Sequence, residues 1–103
     1  MQEQEVAELH YIAYRIVTQA WRPSNMKGCY ETGAFHLRRA MQLAPDNIKY
    51  AEHFLMLHTP PQQVSHLIDD EEAEAVARRT LASRAGTFSV LAKRVLRKIG
   101  KTE

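Results

Sequence analysis

The stretch Leu37-Arg38-Arg39-Ala40-Met41-Gln42-Leu43-Ala44-Pro45-Asp46-Asn47 decides the fold. Leu37, Ala40, Met41 and Ala44 recur at i, i+3, i+4 and i+7, one face of a helix with about 3.6 residues per turn. Pro45 ends that helix, because it has no N–H to donate and its ring clashes with the preceding turn. Carried back through Gly33, the same face gives a helix over about Tyr30 to Leu43, with Asp46-Asn47 leading into the next.

Working outward, the same period recurs and no long stretch alternates with period two. A first helix runs from about Gln2 to Ala20, with Val6, Leu9, Ala13, Ile16, Val17 and Ala20 as its inward stripe and Tyr11 and Arg15 opposite. Pro23 and Gly28 bracket a polar turn after it. A third helix, about Asn47 to His58, is apolar over a wide arc (Tyr50, Ala51, Phe54, Leu55, Leu57, His58), which implies more than one packing neighbour. Thr59-Pro60-Pro61 closes it and a loop runs to Ile68. A fourth helix, about Asp70 to Ser83, faces Ala73, Val76, Ala77, Thr80 and Leu81 inward. Asp69 with Glu72 reads as a capping-box start, Gly86 as a left-handed cap and Thr87 as the next N-cap. A fifth, about Phe88 to Ile99, carries Phe88, Leu91, Ala92, Val95 and Ile99 on one stripe. The fold class is therefore all-α, five helices in a single domain over residues 1–103. With 45% hydrophobic and 25% charged residues, the chain is built to bury one core and is not disordered in bulk.

The second and fourth helices repeat one another. Gly33-x3-Leu37-x2-Ala40-x4-Pro45 aligns with Ala73-x3-Ala77-x2-Thr80-x4-Ala85, forty residues on, and each is followed by a turn and another helix. The segment from Leu37 to Asn47 resembles the second helix and exit turn of a tetratricopeptide repeat. The family's first-helix positions then fall on Leu9, Ile12, Ala13 and Ile16, and on Ala51, Phe54, Leu55 and His58. The resemblance implies about two antiparallel hairpins of tetratricopeptide-like type plus a C-terminal closing helix. An unrelated five-helix bundle is the other reading, since small-residue spacings recur in any close helix pair.

Charge is segregated along the chain. Residues 69 to 74 hold five acids, either a helix start favoured by the dipole or an acidic docking site. The last twenty residues carry a net +5, which leaves −3 on the rest of a chain whose total is +2. Lys93, Arg94, Arg97, Lys98 and Lys101 form a basic stripe opposite Leu91, Val95 and Ile99. It is a solvated outer face, a site for an acidic protein, or a site for nucleic acid or a membrane surface.

Residues suited to chemistry are scattered. The five histidines (His10, His36, His53, His58, His66) include no i, i+4 pair, and one cysteine cannot build a zinc cluster, so no metal site and no cofactor are expected. His58 reads as a hydrogen-bonded core histidine and His53 as a solvated one. Cys29 with His36 as base is a weak catalytic pair, because a lone thiol is usually packing. No glycine-rich phosphate loop is present, and no enzyme is expected. The longest apolar runs, such as Phe54 to Leu57, are too short to span a membrane. The acidic opening, Met1 to Glu5, is unlike a secretory signal. The single cysteine agrees with a reducing compartment, and a cytoplasmic location is expected.

Tetratricopeptide arrays bind proteins or peptides in a groove formed by successive first helices. The resemblance places His10, Tyr14, Lys49, Glu52, His53, Met56, Ser89 and Lys93 in that groove. The family's clamp for a terminal carboxylate would use the positions of His10, Tyr14, His53, Ser89 and Lys93, of which only Lys93 matches. The expected function is a small non-catalytic interaction module: an adaptor, a secretion-type chaperone, or an immunity or inhibitor protein. A protein or peptide partner or a second copy is expected, with Trp21, Tyr11 and Phe35 as aromatic anchors. The alternative is a nucleic-acid binder acting through the basic C-terminal helix.

Overall fold

The computed structural model describes residues 2–20, 22, 24–58 and 67–100. Trp21, residues 59–66 with His66, and Lys101 lie outside the described residues. Among the described residues there are five helices: α1 (Glu3–Gln19), α2 (Met26–Leu43), α3 (Ile48–Leu57), α4 (Asp70–Ala82) and α5 (Val90–Lys98). The described residues contain no strand, so the fold is all-α.

The helix starts follow local chemistry. Asn47 caps α3 by accepting from the Lys49 N–H at 3.0 Å, and Ser89 caps α5 by accepting from Ala92 N–H at 3.1 Å. At α4 the acids Asp70, Glu71 and Glu72 occupy the first turn, but Asp69 makes no side-chain cap bond. The expected capping box is thus replaced by dipole stabilisation, and Glu72 is used elsewhere. Behind α5, Gly100 takes the left-handed conformation (φ 78°) that a helix end favours in glycine.

α1 packs on α2 as one hairpin and α4 on α5 as another, with α3 between them against α2, α4 and α5. The molecule is a slab of 37 × 37 × 18 Å, about two helices thick. Its centre is Phe54 and Leu55 of α3, Leu37 of α2, Thr80 of α4, and Val95 and Leu96 of α5. Thr80 is tolerated there because its hydroxyl donates to the Val76 carbonyl at 2.8 Å. Gly33, Ala34, Ala40, Ala73 and Ala77, all buried, let the helices approach closely.

Four expectations are corrected. α2 begins at Met26, so Gly28 lies inside a helix instead of bracketing a turn. Gly86 does not have a positive φ. It is needed for close approach, since a Cβ there would lie 2.3 Å from the Thr80 carbonyl oxygen. Ser89, not Thr87, caps α5, and Phe88 points outward, 85% exposed, because the helix starts two residues later than expected. Finally, α1 buries Ala7, Tyr11 and Tyr14 and leaves Leu9, Ile12 and Ile16 outside. The tyrosines win the inner face because their rings supply large apolar area while partners on α3 satisfy their hydroxyls.

Candidate functional site

Tyr11 and Tyr14, three residues apart on α1, both reach His53 of α3. Tyr11 Oη lies 3.2 Å from Nε2 and Tyr14 Oη 3.1 Å from Nδ1, with both rings edge-on to the imidazole. A neutral imidazole has one donor and one acceptor nitrogen, so one hydroxyl donates and the other accepts. Burial lowers the proton affinity of His53, and the positive charges of Arg15 and Lys49 act in the same direction. Burial also pushes the Tyr14 phenol up to about 12. These shifts leave His53 and Tyr14 uncharged near neutral pH. It borders a shallow depression of about 450 Å³ lined by Arg15, Thr18 and Gln19.

Beside it, the Glu8 carboxylate accepts from the Tyr50 hydroxyl at 2.7 Å and pairs with Lys49 at 3.1 Å. Those two bonds, the tyrosine first, hold its carboxyl below the usual carboxylate range. Lys49 lies 4.4 Å above the Tyr11 ring, a cation–π contact. Further along, the Ser89 hydroxyl donates to Glu52 at 2.9 Å, which ties α5 to α3.

These distances sort the expected groove residues. Lys49, Glu52, His53 and Met56 sit together on the outer arc of α3, and Lys93 is exposed on α5. Tyr14 (7% exposed) and Ser89 are buried, Tyr14 at the edge of the depression beside His53 and Ser89 at the start of α5. His10 turns to α2, where its Nδ1 lies 2.8 Å from Nδ1 of His36. Burial, then the neighbouring His10, lowers the proton affinity of His36. His53 is half-buried and hydrogen-bonded instead of solvated. His58 is buried as expected, with Nε2 3.0 Å from Asp70, while its Nδ1 has no partner among the described residues. No group of three or more metal-ligating side chains forms among the described residues.

In the basic stripe, Lys93, Arg94, Arg97 and Lys98 are all exposed, and Lys98 also donates to the His58 carbonyl at 2.5 Å. Of the aromatic anchors, Tyr11 is buried and Phe35 exposed on α2. Among the described residues, no helix is long and apolar enough to cross a membrane.

Sequence reasoning missed an apolar row on the surface. Leu9, Ile12 and Ile16 are 52, 44 and 62% exposed, in a line along the side of α1 opposite Ala7, Tyr11 and Tyr14. The signal was present: α1 carries an aliphatic and an aromatic stripe, and a helix with two stripes needs two neighbours. Comparison with protein-family models, with curated proteins and with solved structures matches none of them.

Proposed function

We propose that this chain is a small non-catalytic protein-interaction module whose hairpins are tetratricopeptide-like. One observation carries the reading: the row of Leu9, Ile12 and Ile16 exposed on α1. Surface apolar residues scattered singly need no explanation, but a contiguous row on one helix face marks an interaction surface. The open arc of α3, with Lys49, Glu52 and Met56, supplies polar and flexible contacts beside it. The polar groups of that region already bond one another, so partner recognition falls mainly on the apolar row. An adaptor, a secretion-type chaperone or an immunity protein would each use such a surface.

The test is capture of partners from nuclease-treated lysate by the wild type, by Ile12→Glu with Ile16→Glu, and by a variant with Arg94 and Arg97 changed to Glu. The interaction reading expects the α1 variant to lose its partner and the α5 variant to keep it. Loss only in the α5 variant, together with nuclease sensitivity and a steep fall with salt, would move the function to nucleic-acid binding through the basic helix.

A further inference from the structure

We propose that the occupant of the α1 row is α1 of a second copy of this chain, packed antiparallel about a two-fold axis near Ile12. The inference rests on the reading of that row as a docking surface and names its partner. The first support is spacing. Leu9, Ile12 and Ile16 follow one another at three and four residues, with Gln19 next, which is the seam spacing by which one helix packs along another. A row of this kind is completed by a helix.

The second support is charge. The charged residues of α1 are Glu3, Glu5 and Glu8 in its first half and Arg15 in its second. Parallel packing would set acids against acids. Antiparallel packing sets the acidic half of each copy against the basic half of the other. About a two-fold axis near Ile12, Leu9 faces Ile16 of the other copy. Glu8 and Arg15 lie on one flank of the row, seven residues apart, so each Glu8, one of whose oxygens is held by Tyr50 and Lys49, meets the other copy's Arg15. The surface is thus complementary to itself, which an isologous dimer requires. The exposed side of α5 lacks this property: it offers Lys93, Arg94, Arg97 and Lys98 without an acid, and two such faces repel.

The third consideration is size. α1 has 17 residues and is about 25 Å long, so a single-seam contact buries on the order of 1,000 Å² in total. That is the low end of specific interfaces, and it sets the expectation of a reversible dimer dissociating in the micromolar to sub-millimolar range.

The experiment is analytical ultracentrifugation of the purified full chain from about 0.5 µM to about 1 mM, a range that brackets this affinity. The mass should rise from 11.8 kDa toward twice that value. Ile12→Glu, at an exposed position that leaves the core intact, should remain monomeric throughout. Orientation is read by oxidation in a Cys29→Ser background: Leu9→Cys mixed with Ile16→Cys should crosslink faster than Leu9→Cys alone. A wild-type chain that stays monomeric overturns the proposal, as does a dimer that Ile12→Glu does not weaken. Faster crosslinking of Leu9→Cys with itself overturns the antiparallel arrangement. If the wild type is monomeric yet the α1 variant still loses a captured partner, only this inference fails. If capture is also unaffected, the interaction reading fails with it.

Discussion

Arg38 and Glu72 form a two-pronged ion pair across the slab, with Nε and Nη2 of the guanidinium 2.9 and 3.0 Å from the two carboxylate oxygens. Nη2 also donates to the Leu67 carbonyl at 3.1 Å, and the guanidinium lies 5.4 Å from the Phe54 ring centre. One side chain of α2 therefore holds the start of α4 and covers the central phenylalanine. Arg38→Lys cannot make the paired bonds, because an ammonium is a point donor without a planar fork. Both groups remain about one-third exposed, so solvent screening limits the pair. The expected loss is about 1 kcal/mol in urea unfolding, with a similar loss for Glu72→Gln and no further loss in the double variant.

Three glycines should respond to alanine in three directions. Gly28 has open space where a Cβ would go, inside α2, so Gly28→Ala should gain up to about 1 kcal/mol from helix propensity. At Gly33 a Cβ would lie 2.9 Å from the Thr18 methyl and 3.2 Å from the Tyr14 ring. Thr18 cannot easily turn aside, since its hydroxyl donates to the Tyr14 carbonyl at 2.8 Å. The propensity gain and the clash nearly offset, and removing the obstructing methyl by Thr18→Ser should make Gly33→Ala more favourable than it is alone. Gly86→Ala meets a backbone oxygen and should cost ~3 kcal/mol or more. Thermal melts of the set would show whether the ranking holds.

What could be read from the sequence divides along physical lines. α3 and α4 have one dense apolar arc each, and Tyr50, Ala51, Phe54, Leu55, Leu57, Ala73, Val76, Ala77 and Thr80 are all buried as the period implied. α1 carries two apolar stripes, and choosing the aliphatic one turned the helix around. Periodicity ranks faces by hydrophobicity, but the inner face went to tyrosines whose hydroxyls find partners on α3. Pairings such as His10 with His36, 26 residues apart, were illegible because period fixes a face and not its neighbour. In the turn before α5 the sequence points to Thr87 as the cap, and Ser89 takes that place. The position of Ser89, where its hydroxyl also reaches Glu52, was settled by tertiary contact.

Stability should fall as pH drops below neutrality, and the sign follows from two histidines. His36 and His53 both hold a proton less readily when folded than the ordinary imidazole value of 6.5. The unfolded chain therefore binds more protons, and stability rises with pH through that range. Their full contribution is present above the ordinary value and is lost as pH falls through the lower folded values. Protonating His36 also makes its Nδ1, 2.8 Å from Nδ1 of His10, an obligatory donor. Glu8, whose carboxyl is held down by Tyr50 and Lys49, adds a second loss at lower pH, beneath its ordinary value of 4.5. Urea midpoints should decline in two stages, and His36→Asn should flatten the first. A midpoint flat from about pH 7 to pH 5 would show that neither histidine is perturbed.

The cations of α5 should prove unequal. Lys98 donates to the carbonyl of His58, the residue that ends α3, and so satisfies one of the unpaired acceptors left at a helix terminus. Arg94 and Arg97 are exposed, with Arg97 favoured in the last turn of α5 by the helix dipole. Lys98→Gln shortens the reach to His58 and should cost about 1 kcal/mol, as expected for a charge-assisted bond at a partly screened site. Arg94→Gln should change stability by less than about 0.5 kcal/mol, and Arg97→Gln by a few tenths. Urea unfolding of the three single variants separates these outcomes. Equal and negligible changes would return Lys98 to the solvated face, whereas a loss confined to Lys98 makes it the tie that closes α5 onto the end of α3.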